Sequence, residues 1–178
     1  PLDFAIEGDG FFTVWGPNDD VVYTRDGSFK ISVFEEGKML TNSDGYYVLD
    51  DNESEIILDD VDISKLVVAP DGELSYINED GVTEPLGQRI GMVSFENRDG
   101  LESMGKNLYA WTEAAGEPIP NEDALYRSMI HQRFLEASNV QVVEEMVKLI
   151  VAQRAYEMNS KAIQSSDEML GIANNLRR

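Results

Sequence analysis

Residues 135–161 read LEASNVQVVEEMVKLIVAQRAYEMNSK, and this stretch predicts one long α-helix. From residue 139 to residue 176 the chain contains no proline and only one glycine, near the end. Ser138 and Gln141 have the spacing of a capping box and predict the start of the helix. At about 1.5 Å per residue, the helix would be roughly 57 Å long. A small globular domain does not need a terminal helix of that length.

The apolar residues of this helix form two stripes. The first has steps of four, three, seven, seven and seven residues, typical of a heptad seam with polar gaps, and comprises Val142, Met146, Leu149, Tyr156, Ile163 and Leu170. The second comprises Val143, Val147, Ile150, Val151, Ala155, Met158 and Ala162. A helix with two stripes needs neighbours on more than one side. The alternative is a helix that lies on its own domain, but the length and the double stripe favour assembly with other helices.

Composition restricts the function classes. The chain has 178 residues, and 42% of them are hydrophobic, which argues against disorder. It has no cysteine, which excludes disulfides, cysteine-ligated zinc and thiol catalysis. The sequence has no apolar run near the ~20 residues that span a bilayer, so no membrane insertion is predicted. The first residues do not resemble a signal peptide or a natural start, so we expect a fragment that lacks its N-terminus.

The net charge of −20 is distributed unevenly. Residues 1–135 contain 28 of the 34 acids and 9 of the 14 bases, a net charge of −19. Residues 136–178 contain six acids and five bases and are nearly neutral. The first part therefore repels its own copies and any phosphate backbone, so a nucleic acid partner is not expected. General solubility, or adaptation of the source to salt, would also explain this acidity.

The first 114 residues predict antiparallel β structure, a sandwich or a barrel, followed by the one long C-terminal helix. Asp-Gly pairs recur at Asp9, Asp26, Asp44, Asp71, Asp80 and Asp99, and such pairs turn chains between strands. The β-rich runs are residues 11–14, 21–24, 29–32, 46–49, 56–58, 66–68, 74–77, 90–95 and 108–112. Residues 23–29 predict a hairpin around Asp26-Gly27. We expect a β-rich outer domain at 1–114, a linker and extended entry to the helix at 115–137, and a coiled-coil-type helix at 138–178.

No combination of residues predicts an active site, a cofactor or a metal. Gly8-Asp9-Gly10 is followed by strand residues, whereas a dinucleotide-binding loop opens a helix. His131 is the only histidine, and we expect it to lie at the surface or in packing. The acidic run at 50–62 lacks the spacing of a calcium loop and predicts a solvated loop, with weak cation binding as the alternative. A carbohydrate-binding or hydrolytic β-module would need exposed aromatic residues, and Trp15 and Trp111 are the candidates.

Several motifs together resemble the flagellar basal-body rod and hook proteins. They occur in the family's order along nearly the whole chain: LDFAIEGDGFF at 2–12, YTRDGSF at 23–29, DGY at 44–46, FEN at 95–97, GKNLY at 105–109, LEASNV at 135–140, VEEMV at 143–147 and QRAYEMNSK at 153–161. The resemblance is closest to the distal rod members, with the proximal rod members as the alternative. It assigns motif residues at Leu135, Glu136, Asn139, Arg154 and Asn159. Family members usually have a glycine just before this Leu-Glu, and Arg133-Phe134 stands there instead.

The resemblance implies a structural subunit rather than an enzyme. Such a subunit is exported unfolded and polymerises into the hollow drive shaft of the bacterial flagellum, outside the cytoplasmic membrane. Its partners would be further copies of itself and the adjacent rod and hook proteins, with no small-molecule substrate and no cofactor. The resemblance also implies an N-terminal helix, absent from this chain, that pairs with the C-terminal one.

Overall fold

The short β-rich runs form antiparallel strands in the computed structural model, which describes residues 2–18, 20–35, 37–59, 61–137 and 142–175, and within the helix the side chains of 145–172. One long helix follows them. The predicted fold class, a mainly antiparallel β domain followed by one C-terminal helix, is confirmed. The chain divides into two units, Pro1–Glu136 and Ala137–Arg178.

The first unit contains the strands and the second contains the helix. The strands are β1 (Asp3–Glu7), β2 (Phe11–Trp15), β3 (Val21–Thr24), β4 (Gly27–Ser28), β5 (Lys30–Phe34), β6 (Gly37–Thr41), β7 (Leu66–Val68), β8 (Glu73–Ile77), β9 (Thr83–Arg89), β10 (Met92–Ser94), β11 (Glu102–Gly105), β12 (Leu108–Ala110), β13 (Ile119–Pro120) and β14 (Met129–Gln132). Short 3-10 turns cover Ile63–Lys65, Arg98–Gly100 and Glu113–Ala115. The helix, α1, runs from Val142 to Asn175.

Within the described residues the strands form four sheets of two to six strands. Their orders are β14-β1-β4, β11-β12-β3-β2-β10-β13, β5-β6 and β7-β8-β9. The first sheet joins the two ends of the β unit, since β1 pairs with β14 in the register Phe4↔Gln132 to Glu7↔Met129. The N–H of Arg133 then donates to the carbonyl of Asp3 at 2.6 Å. The chain therefore leaves β14 beside the residue at which β1 begins.

The core lies between these sheets. In β1 the alternation of a strand turns Phe4 and Ile6 inward, and both are buried. They belong to a cluster with Phe12, Leu40, Val48, Ile56, Leu74, Ile90 and Ile130. A smaller cluster contains Phe11, Tyr23, Phe95 and Ala115. Each cluster brings together segments that are distant in sequence, and this burial is what stabilises a unit made of such short strands.

The hairpin predicted at residues 23–29 is wrong. β3 belongs to the six-stranded sheet, whereas β4 pairs with β1 in the three-stranded sheet. The Thr24 hydroxyl accepts from the N–H of Asp26, and the Asp26 carboxylate accepts from the N–H of Ser28, at 3.1 and 3.0 Å. These local bonds turn the chain from one sheet into the other. Phe29 then packs against the rings of Phe4 and Phe12.

Other strands differ from the predicted runs in ways that follow from composition. The runs at 46–49 and 56–58 form isolated bridges, which involve Tyr47, Val48, Leu49 and Ile57, rather than strands. β9 reads TEPLGQR and carries no β-rich pattern, yet it pairs with β8. Its edge position tolerates the proline.

The segment expected to be a linker contains two strands of the β unit, β13 and β14. β13 pairs with β10, and β14 with β1. The domain boundaries expected at residues 114 and 137 stay predictions. Arg133, at the place where the family usually has glycine, adopts a left-handed backbone with φ of 69°. A glycine would adopt this conformation without steric cost. The glycine that the family usually has at this place would therefore suit the backbone better than Arg133 does.

We expect Gly27→Ala to destabilise the β unit by at least about 2 kcal/mol, because a Cβ at this position would overlap the backbone carbonyl of Phe4, which is paired with it. Thermal unfolding followed by tryptophan fluorescence measures the change. Gly171→Ala is the matched control. Its Cβ would meet no atom within 4 Å, and alanine favours a helix by about 1 kcal/mol over glycine. Equal stability of the Gly27→Ala variant and the wild type would contradict this role of Gly27.

Candidate functional site

The largest exposed apolar surface that the sequence predicts lies on α1. Five residues of the first stripe have described side chains, with exposed fractions between 61% and 76%: Met146, Leu149, Tyr156, Ile163 and Leu170. In the second stripe, Val147, Ile150, Val151 and Met158 are exposed as well. The side chains of Val142 and Val143 lie outside the described residues, as do Ser138, Asn139 and Gln141. The assignment of both stripes to an assembly interface stays a prediction.

The second stripe extends further along α1 than the residues predicted for it. Met169 and Ile172 are also exposed on α1. From Val151 the positions 155, 158, 162, 165, 169 and 172 follow in alternating steps of four and three, so both residues continue this stripe. The signal was present in the sequence but is interrupted by Ser165. The apolar surface therefore extends nearly to the end of the described helix.

The size of this surface decides what it can do. Burial of one large aliphatic or aromatic side chain contributes about 1.5–3 kcal/mol. Five such side chains in the first stripe would together contribute on the order of 10 kcal/mol, which is comparable to the whole stability of a small domain. The ion pair of Lys148 with Glu145, at 2.7 Å on the helix surface, contributes little by comparison. The interaction that α1 offers is therefore mainly apolar.

The family motif residues before the helix and on it lie in different environments. Leu135 is exposed, and Glu136 accepts a hydrogen bond from Arg25 Nε at 2.8 Å. Arg154 and Asn159 are exposed on α1. The family resemblance alone predicts a role for Glu136, and no pattern in the sequence indicates Arg25 as its partner.

His131 lies at the surface of the β14-β1 pair. Its Nε2 is 2.6 Å from a carboxylate oxygen of Glu7, and its ring contacts Phe134 edge to face. Because His131 is opposite Ala5, Glu7 is its diagonal neighbour on the same face of the sheet. The residue thus acts in cross-strand packing, as the sequence analysis expected.

Carboxylates of the acidic run at 50–62 accept hydrogen bonds from backbone N–H groups. The carboxylate of Asp50 accepts from the N–H groups of Asn52 and Ser54, at 2.8 Å each. The carboxylate of Asp59 accepts from the N–H of Lys38 at 2.6 Å. In the described part of the chain, which omits Asp60, His and acidic side chains form no group of three or more that could hold a metal ion.

The remaining candidates for chemistry are dispersed. Gly8-Asp9-Gly10 leads into β2, as the strand residues predicted, and Asp9 pairs with Arg98 at 2.7 Å. Burial, and secondarily the charge of Glu53, raise the pKa of Tyr23. On β8 the hydrogen bond that Tyr76 donates to Glu84 raises the pKa of the phenol and lowers the pKa of that carboxyl.

The two tryptophans are not both buried. Trp15 is half-buried and Trp111 is exposed, with its indole N–H donating to the carbonyl of Gly116 at 2.6 Å. Trp111 borders a shallow cleft that is also lined by Pro17, Tyr23 and Pro118.

The chain combines an antiparallel β unit with a long helix that exposes two apolar stripes. These features define a class of protein in which a helix surface is available for packing. Two family profiles match the chain at its two ends: the flagellar hook protein FlgE/F/G D1 domain at residues 5–76, and the flagellar basal body rod FlgEFG protein C-terminal domain at residues 131–176. The chain belongs to the flagellar basal-body rod and hook protein family.

Curated relatives extend the similarity over nearly the whole chain. The flagellar basal-body rod protein FlgG of Borreliella burgdorferi is 44% identical over 99% of this chain and 64% of its own length. FlgG of Buchnera aphidicola subsp. Acyrthosiphon pisum is 43% identical over 94% and 62%, and FlgG of Bacillus subtilis is 38% identical over 99% and 66%. The chain thus spans a little under two thirds of the length of these relatives. No helix in the described residues is both long enough and apolar enough to cross a membrane.

We expect the amides of residues 145–172 to exchange with solvent about 100-fold faster than those of β2 in a dilute solution of this chain, because the helix exposes its stripes while β2 lies in the core. Hydrogen exchange followed by mass spectrometry measures both segments in one sample. Raising the protein concentration should slow exchange in the helix alone if copies pair through the stripes. A monodisperse monomer with a fully protected helix would contradict this expectation.

Proposed function

We propose that the full-length protein is a structural subunit of the distal rod of the bacterial flagellum. It polymerises into the hollow drive shaft that transmits torque from the motor to the hook. The observation that carries this proposal is the pair of exposed apolar stripes on α1, in a chain whose relatives are named flagellar basal-body rod proteins. The expected location is the basal-body rod, outside the cytoplasmic membrane after export.

The first stripe supports pairing with a helix from residues that precede this chain in the full-length protein. β1 begins beside Arg133, where the chain leaves β14. A segment that leads into β1 would therefore enter the β unit close to the point at which the chain leaves it towards α1. Two helices attached to neighbouring points are suited to form an intrachain coiled coil, which would cover the first stripe.

The second stripe then supports contacts between copies. A helix pair that still exposes Val147, Ile150 and Met158 has an apolar surface for neighbouring subunits. Identical contacts repeated with a rotation that does not close produce a filament rather than a ring. The nearly neutral helices would pack into an inner tube, and the β units, whose residues 1–135 carry a net charge of −19, would form the outer layer.

The partners that follow are further copies of the chain and the adjacent rod and hook proteins. The acidic β unit repels phosphate backbones, so a nucleic acid partner is not part of this proposal. Neither is catalysis, a cofactor, a small-molecule substrate or membrane insertion. Torque would pass through the packed helices, because buried apolar contacts resist separation without specific chemistry.

Two alternatives have different support. A proximal rod protein or another axial subunit of the hook type would differ only in its position along the organelle. A carbohydrate-binding β-module would use exposed aromatic residues, and Trp111 meets that requirement. The names of the relatives favour the rod subunit over this module.

We expect Leu149→Ala with Ile163→Ala, in the protein extended by its natural N-terminal residues, to prevent polymerisation at concentrations where the wild type forms filaments. Each change removes a seam contact and costs about 2–5 kcal/mol once the seam is buried. Sedimentation, electron microscopy and motility of a complemented strain measure the effect. Ser166→Ala, an exposed position that belongs to neither stripe, is the matched control. Normal rods and normal motility from the double variant would refute the seam.

We expect salt to promote polymerisation, because the Debye length falls from about 10 Å at 0.1 M to about 3 Å at 1 M and screens the repulsion between acidic β units. The critical concentration of the extended protein should fall roughly tenfold over this range. A variant with Glu79→Gln, Asp80→Asn and Glu102→Gln, three exposed acids, should polymerise more readily at 0.1 M and respond less to salt. A critical concentration that rises with salt would show instead that ion pairs hold the polymer together.

A further inference from the structure

Arg25 joins two parts of the β unit that are far apart in sequence. Its Nη1 donates to the carbonyls of Gly8 and Gly10, at 3.0 and 2.9 Å, and its Nη2 donates to the carbonyl of Ile6 at 3.1 Å. Its Nε donates to the carboxylate of Glu136 at 2.8 Å. We propose that Arg25 is a positioning residue that fixes Glu136, and with it the point from which the chain continues towards α1.

The three carbonyls hold the guanidinium of Arg25 independently of Glu136. They come from the end of β1, where Ile6 is paired with Ile130 of β14, and from the turn that leads to β2. The ring of Phe11 lies 5.8 Å below the guanidinium carbon. A planar fork with five N–H donors can satisfy three carbonyls and a carboxylate at once, which an ammonium group cannot do. Glu136 therefore meets a donor whose position is already set.

Glu136 is the last residue of the β unit, and in the described part of the chain the residues just before it make few contacts, among them that of Phe134 with the ring of His131. β14 ends at Gln132, and the N–H of Arg133 makes its bond to Asp3. Phe134 and Leu135 are both exposed. Without the bond from Arg25 to its side chain, Glu136 is released, and the nearest preceding backbone hydrogen bond is the one that Arg133 makes.

The segment that would be released, residues 134–136, is comparable in length to one heptad of the helix. Three extended residues span up to about 10 Å. One heptad of an α-helix is also about 10 Å long at ~1.5 Å per residue. An exit loosened by this amount allows the apolar stripes to meet a neighbour one heptad out of register. Arg25 and Glu136 thus limit the register in which subunits pair, a consequence that rests on the proposed function.

The test uses Glu136→Ala, which removes the acceptor but leaves the three bonds from Arg25 to carbonyls in place. Glu102→Ala, an exposed acid on the edge strand β11, is the matched control for the loss of one carboxylate. The first measurement is the ¹⁵N order parameter of residues 134–137 in the 178-residue chain. We expect about 0.8 in the wild type and the control, and below about 0.6 in Glu136→Ala, with the unfolding temperature unchanged.

The second measurement is polymerisation of the same variants in the N-terminally extended protein. We expect Glu136→Ala to raise the critical concentration at least fivefold and to produce filaments of uneven diameter, whereas Glu102→Ala does neither. Arg25→Lys keeps the charge but loses the fork, so it should loosen residues 134–137 as Glu136→Ala does.

Unchanged order parameters in Glu136→Ala or in Arg25→Lys, relative to the control, would overturn the proposal. So would loosened residues 134–137 combined with filaments identical to those of the wild type. A wild-type protein that forms no filaments would refute the proposed function. The order parameters would still decide whether Arg25 fixes Glu136.

Discussion

The pairing of β1 with β14 is the constraint on which the rest of the β unit depends. It joins the first strand to the last, so that Ile6 and Ile130 are buried in one core. Contacts between such distant residues require the intervening chain to be ordered, and the many short strands between them become stable only in that closed arrangement. The same pairing places the start of β1 beside the exit from β14.

The segment from Thr24 to Phe29 shows how a short motif serves this closure. Thr24 and Asp26 turn the chain out of the six-stranded sheet, Gly27 approaches the backbone of Phe4, and Phe29 fills the space between two aromatic rings. Arg25 reaches from the same segment to the β1–β2 turn and to Glu136. A motif recognised as a signature of the family is thus a connection between sheets and between the two ends of the unit, rather than a simple hairpin.

Burial divides the molecule into two kinds of surface. The β unit buries a core of phenylalanine and aliphatic side chains, such as Phe4, Phe12 and Leu40, and contains nearly all of the net negative charge. The helix has the opposite character, with little net charge and with its large apolar side chains exposed along its described length. A helix with exposed apolar stripes of this size is stable in water only when a partner covers the stripes. This contrast is the physical basis for proposing a subunit whose interactions are made by the helix and limited by the repulsion of the β units.

The sequence by itself determined the helix, its first stripe, the antiparallel β class and the family, because periodicity, Asp-Gly turns and the absence of proline act locally. It did not reveal Met169 and Ile172 as part of the second stripe, where one serine interrupts the pattern, or β9, whose composition is not typical of a strand. Only the tertiary structure decided that residues 23–29 cross between sheets, that β14 pairs with β1, and that Arg25 holds Glu136. These contacts join residues that no periodicity relates, and the closed core alone brings them within hydrogen-bonding distance.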